Sequence, residues 1–131
     1  MKSYAIAAIP GDGIGAEVIQ AGINVLRALA ARDGSFQLRI EIFDWGSEHY
    51  LSNDCMMPTD GLEKLKNFDA IYFGSAGDPR VPDHISLWGL RLAICQPLEQ
   101  YANVRPARLL PGIVGPLKDI GPQEWIFGLV H

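Results

Sequence analysis

The stretch Pro10-Gly11-Asp12-Gly13-Ile14-Gly15 (PGDGIG) joins an apolar run, Tyr4 to Ile9, to a long segment of helical periodicity. Apolar strand, glycine turn and helix, in that order, open a parallel α/β sheet, and such turns are where these sheets hold ligands. Read with Ala16, Gly11 and Gly13 satisfy G-x-G-x-x-A, the fingerprint of dinucleotide loops in doubly wound folds. Asp12 opposes that reading, because a carboxylate in the loop repels pyrophosphate. Asp44, the acidic residue closing the second strand, also lies beyond the usual spacing of about 20 residues. The plainer reading makes the glycines a tight turn in which Asp12 caps the following helix through its side-chain oxygen.

Outward from this turn, Ile14 to Arg32 keeps helical spacing at Ile14, Val18, Ile19, Ile23, Leu26 and Leu29 before Gly34. Gln37 to Phe43 alternates polar and apolar residues, the pattern of an edge strand or one covered on a single side. Pro58 to Phe68 predicts a short helix, and Asp69 to Phe73 a second buried strand ending in the glycine-rich GSAGDP at 74–79. Two apolar strands thus end in glycine loops, which a parallel sheet gathers at its carboxyl edge. Ser86 to Tyr101 predicts a third helix, bent or ended by Pro97. Beyond Tyr101 the chain is punctuated by Pro106, Pro111, Pro116 and Pro122, as in short extended segments leaving one domain for another, and Trp125 to Val130 reads as a strand.

The 131 residues, 48% hydrophobic and 20% charged, suffice for one ordinary core. A net charge of −4 supplies no basic surface for nucleic acid or acidic membranes, and no apolar run approaches a membrane span. Cys55 and Cys95, 40 positions apart, have no partners at metal-ligand spacing and fit a reducing, cytoplasmic setting. His49 and His84 read as hydrogen-bonded surface groups, Trp45 and Trp88 most simply as packing residues, and Cys95 as an inert thiol.

Four segments in order, AIAAIPGDGIGAEVI at 5–19, FDAIYFGSAGDP at 68–79, VPDHISLWG at 81–89 and YANVRPARLLPG at 101–112, together resemble the N-terminal part of the β-decarboxylating dehydrogenases, the isopropylmalate and isocitrate dehydrogenase family. DHISLWG and its surroundings look most like the tartrate and D-malate dehydrogenase branch, with isopropylmalate dehydrogenase the nearest competitor. The resemblance implies a three-layer α/β/α fold that is not a Rossmann domain, present only as its N-terminal part, with residues 1–101 in the large domain and 102–131 opening the dimerisation domain. It implies NAD, or NADP, and a Mg or Mn ion whose ligands are not in this chain. A small hydroxy-acid substrate and a homodimeric parent are implied as well. In such chemistry the metal polarises first the hydroxyl and then the new carbonyl as carbon dioxide leaves.

Carried over by position, Gly74, Ser75, Ala76, Gly77 and Asp78, and on to Trp88, match the segment beside nicotinamide and its ribose. Arg105 matches an arginine that clamps substrate carboxylates, a task suited to the paired donors and permanent charge of guanidinium. The family's clamp arginine ten positions before Arg105 is here Cys95, and Arg91 stands one helical turn earlier, so Arg91 is a candidate for the distal part of the substrate. His131 stands where a third clamp arginine is expected, either as a replacement donor or because the chain diverges there. The catalytic tyrosine and lysine and the metal aspartates of the family fall outside these segments, so the isolated chain is expected to be inactive. Two readings remain: the N-terminal piece of a tartrate or D-malate type dehydrogenase, or a non-enzymatic α/β module binding a small anion or partner subunit.

Overall fold

The computed structural model describes residues 1–108, 110–114 and 125–129. It divides into two compact units, Met1–Ile94 and Cys95–His131. The first is an α/β unit built on a parallel sheet. Strand β1 (Lys2–Gly11) is central, flanked by β2 (Phe36–Ile42) and β3 (Ala70–Ser75) in the order β2-β1-β3. The register runs from Lys2 opposite Phe36 to Ala8 opposite Ile42, and from Ile6 opposite Ala70 to Gly11 opposite Ser75.

The central place of β1 follows from its composition. Ala5, Ala7, Ala8 and Ile9 are all buried, and a strand covered on both faces reads as a continuous apolar run. The alternation in β2 appears as alternating burial, and β2 forms an edge of this sheet. Helix α1 (Gly15–Asp33) returns the chain to the amino edge and closes where the Gly34 N–H donates to the Ala30 carbonyl. It packs Ile19 and Ile23 against Ala8, with Ile40 and Tyr72 alongside. Of the apolar positions expected to face the core, Ile14, Val18 and Leu29 instead lie at the surface, and so does Val25.

Helix α2 (Ser47–Asn53) follows β2, and α3 (Gly61–Leu65) is shorter than the predicted 58–68 segment. The helix predicted from Ser86 begins earlier and ends earlier. It comprises α4 (Asp83–Ser86), a π-helical turn (Leu87–Leu92) and α5 (Ala93–Cys95). Instead of continuing to Tyr101, the backbone turns back on itself, with the Gln100 N–H donating to the Cys95 carbonyl and the Glu99 N–H to Gln96. Pro97, which lacks an N–H, sits inside that turn. In the second unit, β4 (Val104–Arg108) pairs antiparallel with β5 (Trp125–Leu129), Arg105 opposite Gly128. No helix among the described residues is long and apolar enough to cross a membrane.

Candidate functional site

Because the strands of the first unit are parallel, β1 and β3 deliver their glycine loops to one edge, and Asp12 fastens them there. Its backbone N–H donates to the Ser75 carbonyl at 2.8 Å, and the Ser75 hydroxyl donates back to the Asp12 carbonyl. Gly11 makes this approach possible. It has φ +70°, and a Cβ at that position would stand 1.9 Å from the Ser75 carbonyl oxygen. Gly15 and Gly74 are equally confined, each with the Pro10 carbonyl oxygen in the place of a side chain.

The Asp12 side chain, only 4% exposed, turns away from α1. The expectation that it caps α1 is therefore corrected: Ile14 occupies the N-cap position, without a side-chain cap. One carboxylate oxygen accepts the Ser47 N–H at 2.7 Å. The other accepts the Ser47 hydroxyl at 2.9 Å and the Gly77 N–H at 2.8 Å. A carboxylate with these three donors is satisfied where burial would otherwise be costly, and it faces the first turn of α2, where backbone N–H groups favour negative charge. Asp12 thus holds together the β1 loop, the start of α2 and the β3 loop.

A second connection, nearer the surface, ties two of these elements, the β3 loop and α2. Arg80 donates through Nε to one Asp78 oxygen at 3.0 Å and through a terminal nitrogen to the other at 2.7 Å, and also pairs with Glu48 of α2. The Arg80 side chain, followed by the Arg80 backbone N–H, lowers the Asp78 pKa to about 2. The Asp78 carboxylate, followed by that of Glu48, in turn raises the Arg80 pKa. Sequence reasoning missed Ser47, Glu48 and Arg80. A signal for α2 exists in Gly46-Ser47-Glu48, a small residue and a hydroxyl followed by an acid in the first turn.

The expected cofactor residues divide. Gly74 and Ser75 end β3, Ala76 and Gly77 are exposed beyond it, and Asp78 is held by Arg80. Trp88, 59% exposed on the π-helical turn, instead lines a cavity of about 480 Å³ with Tyr50, Cys55, Met57 and His84. Trp45 is the packing residue expected, 6% exposed and 4.6 Å from the Phe43 ring. His49 bonds the Cys55 carbonyl at 2.6 Å. Beside the Asp12 cluster, a smaller cavity of about 240 Å³ is lined by Pro10, Gly11, Asp44, Trp45 and Glu48.

Arg91 is exposed within the π-helical turn, so its spacing to Cys95 is not that of a regular α-helix. Cys95 is half-buried, Arg105 is exposed on β4, and His131 lies outside the described residues. Among the described residues, no three His, Cys, Asp or Glu side chains converge as a metal site.

Comparison with known proteins agrees with this architecture. The profile of the isocitrate/isopropylmalate dehydrogenase family matches residues 5–123. A probable tartrate dehydrogenase/decarboxylase of Agrobacterium vitis is 61% identical over 128 residues, covering 96% of this chain and 36% of the relative. The decarboxylating D-malate dehydrogenase of Escherichia coli is 52% identical over 133 residues, 100% of this chain and 37% of that protein. The crystal structure of a β-decarboxylating dehydrogenase from Thermococcus kodakarensis, in its apo form, superposes with a TM-score of 0.65 at 25% identity, over 97% of this chain and 40% of that one. The chain therefore spans little more than a third of the length of these relatives. With its parallel sheet, its ordered glycine loops and a match over most of its length, it belongs to the isocitrate/isopropylmalate dehydrogenase family.

Proposed function

We propose that this chain forms the N-terminal portion of an NAD-dependent, divalent-metal-dependent dehydrogenase that decarboxylates tartrate or D-malate. The observation that carries this reading is the 61% identity over 128 residues to a protein named as a probable tartrate dehydrogenase/decarboxylase. The 52% identity to a D-malate dehydrogenase keeps both hydroxy acids in play. Residues 1–101 belong on this reading to the large domain and 102–131 to the start of a dimerisation domain.

The carboxyl-edge loop suits a nicotinamide cofactor. Ala76 and Gly77 are exposed, and a side chain added at Gly77 would meet open space, so a flat ring and its ribose have room against this backbone. When bound, such a cofactor would supply the acceptor for hydride leaving the carbon that bears the substrate hydroxyl. Asp12 supports this loop by engaging the Gly77 N–H, which keeps the backbone fixed while leaving its outer face free. Arg105 and Arg91 are each assigned to substrate carboxylates, for which two exposed guanidinium groups supply charge and paired donors. The described residues do not fit a Mg or Mn ion, and no step is assigned to one.

The test is NAD reduction with D-malate and L-tartrate in the presence of Mn. The polypeptide carrying this sequence, purified from its source cells, is expected to reduce NAD with one or both acids, and the 14.4 kDa chain alone with neither. A native polypeptide that oxidises neither acid overturns the reading.

A further inference from the structure

Two neighbouring residues at the start of α2 hold the loop after β3 at two successive positions, Gly77 and Asp78. Ser47 does so from within, through Asp12, whose carboxylate also accepts the Gly77 N–H. Glu48 does so from outside, through Arg80, which pairs with Glu48 and with Asp78 at once. Past Gly77 the chain folds into a tight turn. The Val81 N–H donates to the Asp78 carbonyl at 2.9 Å, and the Arg80 N–H to the Asp78 carboxylate at 2.8 Å. Val81, 2% exposed, anchors the far end of this turn in the core. Gly77, with φ +139° and no side chain to pack, lends the loop little stiffness of its own.

An isolated ion pair at the surface as a rule contributes little to stability, but a two-pronged arginine–carboxylate contact inside a network is the exception. Here Nε and a terminal nitrogen of Arg80 take the two oxygens of Asp78 separately, Asp78 is only 14% exposed, and the same terminal nitrogen reaches on to Glu48. A planar guanidinium bound in this way fixes an orientation as well as a distance. Among the described residues, Asp12 and Arg80 carry the polar side-chain links between α2 and this loop, so without Arg80 the turn at 78–81 is tied to α2 only through Gly77. Hydride transfer to a flat ring depends steeply on where the ring lies, a misplacement of about 1 Å costing up to about a hundred-fold in rate. We propose that Arg80 is a positioning residue for the cofactor loop, holding Asp78 to Glu48 so that the exposed backbone at 76–77 meets the nicotinamide ring at a fixed place. This role rests on the assignment of that loop to the cofactor.

Two variants of the native polypeptide test it: Arg80→Gln, which removes the charge, and Glu48→Gln, which weakens only the partner on α2. Hydrogen exchange without cofactor reads the placement directly. In both variants the Val81 amide is expected to exchange several-fold faster than in wild type, while the Ser47 amide, held by Asp12, keeps its rate. Steady-state kinetics, with a deuterium label on the hydroxyl-bearing carbon of D-malate or L-tartrate, read the consequence. In Arg80→Gln, kcat is expected to fall by about ten-fold with the KM for the acid unchanged, and the isotope effect on kcat to rise, because a misplaced ring slows hydride transfer itself. Glu48→Gln should lose less, and the double variant no more than Arg80→Gln alone, since Glu48 acts through Arg80. The proposal is overturned if the Val81 amide of Arg80→Gln exchanges at the wild-type rate, if kcat and the isotope effect stay at wild-type values, or if the two substitutions are additive. In each of those cases wild type still reduces NAD and the dehydrogenase reading stands. A wild type that reduces NAD with neither acid overturns that reading and this role together.

Discussion

The carboxylate of Asp12 and the backbone N–H of Gly77 meet at 2.8 Å across 65 positions of sequence. With the two donors of Ser47, this contact makes Asp12 a junction for three segments that the strand order brings to one sheet edge. Asp12→Ala leaves all three donors without their acceptor in a buried place, and is expected to destabilise the chain by about 3–5 kcal/mol. Asp12→Asn is milder but selective: its amide nitrogen, replacing the oxygen shared by the Ser47 hydroxyl and Gly77, sets donor against donor at Gly77. Urea denaturation measures the first effect. Hydrogen exchange measures the second, as faster exchange of the Gly77 amide than of the Ser47 amide.

Gly11 and Gly13 share a left-handed backbone but differ in surroundings, so one substitution separates conformational strain from collision. Gly13→Ala, at φ +56° with nothing within 4 Å of the new Cβ, is expected to cost about 1–2 kcal/mol. Gly11→Ala adds a Cβ 1.9 Å from the Ser75 carbonyl oxygen, forcing β1 and β3 apart where Asp12 bridges them. Its cost is expected to exceed about 3 kcal/mol. Denaturation midpoints of the two variants, compared side by side, test this ordering.

The same pair of glycines shows what the sequence made legible. The apolar run into PGDGIG, the helix after it and the GSAGDP loop all follow from short-range pattern, and the structure has β1, α1 and β3 there. Asp12 could not be read locally, because the donors that decide its direction lie 35 and 65 positions away. Helix α2 was missed for a related reason: its seven residues, SEHYLSN, carry no sustained periodicity, and its first turn is held by Asp12. The apolar positions of α1 were legible as a helix but not as two faces, since a pattern cannot say which stripe the sheet takes. Among the site candidates, the order of the segments was readable, whereas the separation of Trp88 from the Gly74–Asp78 loop depends on the π-helical turn that carries it.

The Asp78–Arg80 pair predicts an acid-sensitive contribution to stability. The folded-state pKa of Asp78, about 2, lies below its ordinary 3.8, so between these values the unfolded chain binds more protons than the folded one. Stability therefore rises with pH through this window: the contribution is fully present above about pH 4 and is lost as pH falls toward 2. Arg80→Ala removes the main cause of the shift, so the pH dependence of its denaturation midpoint should be shallower across that window than that of wild type. Added salt should narrow the difference between the two proteins, since the Arg80 side chain is 55% exposed, although Asp78 beneath it is only 14% exposed.

The roles assigned to Arg105 and Arg91 make separable kinetic predictions for the native polypeptide. An arginine that binds a substrate carboxylate equally in the ground and transition states raises KM when weakened and leaves kcat largely unchanged. Arg105→Lys keeps the charge but loses the two-pronged donor geometry, and is expected to raise KM for D-malate or L-tartrate by about ten-fold, with Arg105→Ala weaker still. Arg91→Ala is expected to raise KM for the same acids and to spare affinity for NAD, because the loop assigned to the cofactor lies elsewhere in sequence, at 74–78. Steady-state kinetics with substrate and cofactor varied in turn measure both. An unchanged substrate KM in Arg91→Ala would leave that arginine a solvent-facing residue of the π-helical turn and place the distal substrate contact on another group.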